Sequence, residues 1–151
     1  MPSDEYLEGV FRVTGRDFVD AGLVSSSIKS GLKKKGVPEE IIRRIAVIIF
    51  ETEINIISYA REGTISYYLL PDSIVIEAKD TGPGIEDIEL ALQEGYSTAD
   101  DAIRELGFGA GMGLPNVRKF SDVFEISSEP GKGTCITCVV RFNGIQEKEV
   151  E

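Results

Sequence analysis

The chain has 151 residues, 42% of them hydrophobic, which suits one domain with a real core and leaves no run apolar enough to span a bilayer. Its formal net charge of −10 speaks against a nucleic-acid binder, whose phosphate contacts need a basic surface, and leans towards partners with basic patches. No basic segment followed by an apolar stretch opens the chain, so no signal peptide is expected and the expected location is the cytoplasm.

In chain order, residues 6–14 alternate well enough to predict a first strand. Residues 17–35 read as a helix with Phe18, Ala21, Ile28 and Leu32 on one side, ended by Gly36. Val37-Pro38-Glu39-Glu40 opens a second helix, with proline early and acids in the first turn; it carries Ile41, Ile42, Ile45, Ile48, Ile49, Ile56 and Ile57 to a stop near Gly63. Length and caps predict a buried helix, although so many isoleucines would also suit a strand. Residues 64–70 and 73–79 predict two strands joined at Pro71-Asp72. A loop at Thr81–Gly84, a short helix at 86–93 and a polar, mobile segment at 94–106 follow. Residues 114–121 predict a helix, and 123–128 and 134–142 two strands turning at Pro130–Gly133. Residues 143–151 are an acidic tail. With no repeat and no linker, the expectation is a single domain over 1–142: an α/β (α+β two-layer) sandwich, with a mixed sheet of about five strands and helices on one face.

Cys135 and Cys138 form a CxxC, but zinc needs about four ligands and the chain has no other cysteine and no histidine. On a strand a separation of three puts them on opposite faces, so they read as reduced strand cysteines. The missing histidine also removes Ser-His and Cys-His catalysis.

Glycine occupies positions 107, 109, 111 and 113, and the run leads into Leu114-Pro115-Asn116. So many glycines cost conformational entropy that a plain connector would not need. A glycine loop feeding a helix N-terminus is a phosphate site through both free N–H donors and the helix dipole. The G-x-G-x-x-G pattern fails here, because the sixth position is Met112 counted from Gly107 and Leu114 counted from Gly109; no Gly-Lys-Ser/Thr occurs either.

Inside the most apolar helix, Glu51 and Asn55 are four apart and share a face. Either that face reaches solvent near the helix end, or the acid is put to use: Glu51 as a general base, with the Asn55 amide oxygen as a ligand for Mg²⁺, a cation that prefers oxygen. Glu53, on roughly the opposite side, reads as ordinary surface. Asp80-Thr81-Gly82-Pro83-Gly84 ends an apolar strand. It reads as a plain turn, or as a buried carboxylate accepting the exocyclic amine of adenine, with glycines that let the ring lie against backbone.

In order, Glu51-x-x-x-Asn55, Asp80-x-Gly82-x-Gly84, the Gly107–Gly113 run and Gly133-Thr134 resemble the superfamily grouping DNA gyrase B, Hsp90, histidine kinases and MutL, with its Bergerat-type ATP-binding fold. Asn55-Ile56-Ile57-Ser58-Tyr59-Ala60, Ala91–Thr98 and Gly113–Phe120 resemble more narrowly the RsbT-type serine/threonine kinases and anti-sigma factors. The resemblance implies Glu51 as catalytic base and Asn55 as magnesium ligand. It implies nucleotide contacts from Asn55, Asp80, Gly82, Gly84, Ile85, Gly107, Gly109, Ala110, Gly111, Met112, Gly113, Leu114 and Thr134, with a lid over about 85–112. Residues 99–106 make that lid longer than the branch leads one to expect. The implied activity is ATP- and Mg²⁺-dependent phosphorylation of a STAS-domain antagonist in a partner-switching pathway, with a homodimer possible. The alternative is a nucleotide-gated anti-sigma factor that turns ATP over slowly or never. The acceptor is expected to be another protein, because the sequence shows no histidine-bearing helix pair and no second domain supplying a lysine.

Overall fold

A computed structural model describes residues 2–94 and 113–142. After a short 3-10 turn at Asp4–Tyr6, the elements are β1 (Leu7–Thr14), α1 (Leu23–Lys34), α2 (Glu39–Tyr59), β2 (Glu62–Leu69), β3 (Ser73–Asp80), α3 (Ile88–Ala91), α4 (Gly113–Phe120), β4 (Val123–Glu129) and β5 (Gly133–Arg141). The acidic tail and residues 95–112 lie outside the described residues.

The isoleucine-rich segment is a helix, and its burial shows why a strand would not serve. Ile41, Ile45, Ile48, Ile49 and Ile56 are all at most 1% exposed, and at helical spacing they share one face about 100° wide, a stripe that a strand's period of two cannot gather. The sheet lies beneath α2, with α1 and α4 packed along its flanks. Removing each isoleucine from water stabilises the fold by roughly 1.5–3 kcal/mol before entropy is counted. The helix stops at Ala60, three residues before Gly63, where the backbone becomes extended. The loop after β1 seals this end: Arg16 N–H donates to Ile57 O at 2.7 Å and Gly15 N–H to Arg61 O at 2.8 Å. A Cβ at Gly15 would overlap the Ala60 carbonyl, so only glycine permits that approach.

The sheet has five strands in the order β1-β2-β3-β5-β4. Every pairing is antiparallel, where a mixed sheet was expected. The helices explain the difference. Thr14 pairs with Glu62, so α1 and α2 carry the chain out and back to the edge where β1 ended, and β2 must run antiparallel to it. β3 and β4 do point the same way, but β5 inserts between them and pairs with both, so parallel strands never meet. Ile65, Ala78, Ile136 and Ile126 follow one another across the register, and Ile65, Ala78 and Ile136 are buried in the core beneath the helices. Cys138 is buried and Cys135 half-buried, both free; burial pushes the Cys138 thiol up to about 11. Among the described residues no helix is long and apolar enough to cross a membrane.

Candidate functional site

Helical spacing puts Arg44, Ile48, Glu51 and Asn55 on one stripe of α2. That stripe faces α4. At one end Arg44 Nε and Nη2 donate to Phe120 O at 3.1 and 2.9 Å, holding the C-terminus of α4. At the other end the Glu51 carboxylate meets the first turn of α4: a Cβ built on Gly113 would lie 3.1 Å from Oε2. Burial raises the Glu51 pKa, and the nearby Asn116 amide, which favours the charged form, partly opposes the rise. Asn55, half-buried, lies one turn further along towards the end of α2.

Asp80 closes β3 beside that end. Its Oδ1 accepts Thr134 N–H at 3.3 Å, and Gly82 N–H also donates to the carboxylate. Burial raises its pKa and these two donors oppose it. A carboxylate has about four acceptor positions, so the two backbone donors leave capacity for a ligand. The following loop is tied to α2: Arg61 N–H donates to Thr81 O at 3.2 Å, and a Cβ on Gly82 would stand 3.2 Å from Ala60. Gly84 has φ +75°, and a side chain there would collide with the Glu129 carbonyl. Gly133, at φ +147°, passes closer still to the Asp80 carbonyl.

Ser128, which sequence reasoning did not single out, fastens this arrangement. Its hydroxyl accepts Ile85 N–H at 2.7 Å, reaches Gly133 O at 3.0 Å and pairs with the Thr134 hydroxyl at 2.8 Å. Gly131 N–H donates to Pro83 O at 2.7 Å, so the β4–β5 turn and the Asp80 loop are stitched together twice. Two open troughs flank the loop: one of about 740 Å³ against Ala60, Gly82 and Lys132, the other of about 410 Å³ against Asp80, Ser128 and Thr134. Neither is lined by Glu51 or Asn55.

The fold thus gathers Glu51, Asn55, Asp80, Gly82, Gly84, Ile85, Gly113 and Thr134 around the C-terminal half of α2 and its neighbouring loops. Leu114 is half-buried and packs against the core from α4. Gly107, Gly109, Ala110, Gly111 and Met112 lie outside the described residues, as does most of the 85–112 range. Among the described residues no group of three or more acids or cysteines is placed to hold a metal. A hard cation here would take the Asn55 amide oxygen plus oxygens from ligand or water, a donor set that suits Mg²⁺. Glu53 corrects the sequence reading: it is 2% exposed, not surface, and it accepts the N–H groups of Gly22, Val24 and Ser25 at the start of α1.

A family model described as histidine kinase-, DNA gyrase B- and HSP90-like ATPase matches residues 35–144. The chain belongs to this ATPase family. The match spans α2, the Asp80 loop, α4 and the β4–β5 hairpin, the elements just shown to converge. Among its relatives, the serine/threonine-protein kinase RsbT of Bacillus subtilis is 36% identical over 100 residues, covering 64% of this chain and 69% of its own. An anti-sigma F factor of Caldanaerobacter subterraneus subsp. tengcongensis is 37% identical over 102 residues, 64% of this chain and 68% of that one. The crystal structure of a SiaB–SiaC complex from Pseudomonas aeruginosa shares the fold with a TM-score of 0.63 at 14% identity, over 89% of this chain and 90% of that one.

Proposed function

We infer that this ATPase-family protein is an ATP- and Mg²⁺-dependent serine/threonine protein kinase that regulates a protein partner, a STAS-type antagonist, by phosphorylating it. The observation that carries the reading is the Glu51 carboxylate: half-buried on an apolar helix and packed against the first turn of α4 at Gly113, where burial raises its pKa. A protein that only binds nucleotide has no use for such a group, whereas a general base works best with its pKa drawn towards neutrality.

The bound nucleotide would supply the phosphoryl group, and Mg²⁺ would neutralise charge on its phosphates. Asp80 would accept a hydrogen bond from the exocyclic amine of adenine; guanine presents a carbonyl there and would be refused. Thr134 and Gly82 keep that carboxylate in place, and Gly84 and Ile85 shape the loop beside it. Asn55 would hold the metal through its amide oxygen. Gly113 and Leu114 begin a helix whose N-terminal N–H groups and dipole favour phosphate, extending the run of Gly107, Gly109, Ala110, Gly111 and Met112. Glu51 would orient the partner's hydroxyl and take its proton.

A second reading has its own support, since the relative at 37% identity is named an anti-sigma F factor: the chain would hold a sigma factor in a nucleotide-gated complex with little turnover. One experiment separates the two. The protein is used to capture partners from cell extract with and without Mg-ATP, and phosphosites are mapped on what is recovered. ATP-dependent phosphate on a serine or threonine of the partner, lost with Glu51→Ala while ATP still binds, is the expected result. A partner that is retained but never phosphorylated supports the binding module and overturns the kinase.

A further inference from the structure

We propose that Asn116 is a positioning residue for Glu51: its side-chain amide fixes the carboxylate's orientation and thereby makes the seam between α2 and α4 part of the catalytic apparatus. The inference deepens the kinase reading and rests on it.

Three observations place the pair. Asn116 is half-buried in the first turn of α4, three residues after Gly113, and its amide is near enough to the Glu51 carboxylate across the seam to favour the charged form. Gly113, from the same turn, leaves the space Glu51 Oε2 occupies; a Cβ there would stand 3.1 Å away and press the carboxylate aside. The seam itself is registered at its far end. Arg44, seven residues before Glu51, grips the carbonyl of Phe120, seven residues after Gly113, and Ile48 and Val117 between them are fully buried. Two antiparallel helices pinned at both ends deliver Asn116 to Glu51 in one register.

The residue type fits the task. Asparagine is a poor helix former, so its place in this short helix is not explained by propensity. A neutral amide donor orients a carboxylate without adding charge. Lysine or arginine would stabilise the anion too strongly for a base, and aspartate would repel it. A carboxylate that can rotate freely spends much of its time aimed away from the hydroxyl, which lowers turnover without touching nucleotide affinity.

The test uses the whole chain with Mg-ATP, and reads phosphate released to water together with ATP affinity by calorimetry. Asn116→Leu, with the same branched shape but without a donor, is expected to slow turnover about tenfold, as for losing one hydrogen bond to a charged group, with the dissociation constant changed less than about twofold. Asn116→Ser, which keeps a donor, recovers part of the rate and guards against a misfolded first variant. In the Glu51→Gln background Asn116→Leu should cost nothing more. An equal loss in both backgrounds, or a loss confined to ATP affinity, overturns the inference alone. Unchanged turnover in Glu51→Gln itself overturns the kinase reading and the inference together.

Discussion

The Glu53 carboxylate crosses from α2 to the start of α1, where its Oε2 accepts Gly22 N–H at 3.1 Å. The same side chain takes the N–H groups of Val24 and Ser25, each at 3.4 Å, and α1 has no side-chain cap of its own. A buried carboxylate thus satisfies donors that would otherwise be orphaned, in the favourable field of a helix N-terminus. Glu53→Ala should therefore cost about 3 kcal/mol and lower the melting temperature by roughly 6–12 °C. Calorimetric melting checks this; a loss below about 1 kcal/mol would mean that water replaces the cap.

Glu51, Glu53 and Asp80 all have pKa values raised by burial above the ordinary 4.5 or 3.8. An acid whose folded pKa exceeds its unfolded value holds its proton more tightly in the fold. Stability from such groups is therefore largest in acid and declines as pH rises from the ordinary values through the folded ones. The net charge of −10 adds repulsion in the same direction. Melting temperature should fall between mildly acidic and neutral pH. Glu51→Gln should flatten that slope and raise stability at pH 7–8 by on the order of 1 kcal/mol while cutting turnover to a residual rate. Melting curves of both proteins from pH 5 to 8 give the comparison; an identical slope in the variant would exclude Glu51 as a contributor.

Ser128 joins the Asp80 loop to the β4–β5 hairpin through Ile85 N–H, Gly133 O and the Thr134 hydroxyl. Ser128→Ala deletes the acceptor for Ile85 N–H and releases the Thr134 hydroxyl. The expected cost is about 1–2 kcal/mol of stability, together with weaker ATP binding because the Asp80 pocket loosens. Glu51 lies on another element, so turnover at saturating ATP should persist. Calorimetric titration with Mg-ATP decides it: unaltered affinity would show that the pocket keeps its shape without this hydroxyl.

The strands, α2, the body of α1 and the turns at Pro71-Asp72 and Pro130–Gly133 were legible because alternation, caps and turn residues are local signals; α1 begins at Leu23, not at 17, so Phe18 and Ala21 lie in the loop before it. Cys135 and Cys138 were placed correctly on opposite faces of β5 by period alone. The sheet's all-antiparallel pairing was not legible, since it depends on β5 inserting between β3 and β4, which no local pattern encodes. Glu51 and Asn55 stood out as polar residues in an apolar helix, and Asp80 through the glycines after it. Glu53 was misjudged for a physical reason: helical angle says which way a side chain points, but not that the N-terminus of α1 waits there. Arg44, Asn116 and Ser128 were missed because each works through a contact distant in sequence. Arg44 did carry a faint signal, seven residues before Glu51 on the same stripe.

Arg44 anchors the far end of the seam between α2 and α4. Besides its two hydrogen bonds to Phe120 O, it pairs with Asp122 Oδ1 at 3.2 Å, and Asp122 Oδ2 accepts Arg141 N–H at 2.6 Å. Both side chains are only about one-fifth exposed, 21% and 22%, so the pair is shielded more than a surface bridge. A guanidinium suits this place because its planar fork serves a carbonyl and a carboxylate together, and a lysine ammonium is a point charge that cannot reproduce the fork. Arg44→Met keeps the aliphatic packing, strips the polar contacts and should cost about 1–3 kcal/mol; Arg44→Lys should recover less than half of that. Hydrogen exchange should accelerate in α4 before it does in β2 or β3, because the helix loses its C-terminal anchor while the sheet keeps its ladder. Full recovery by lysine would show that charge alone, not the fork, holds the seam.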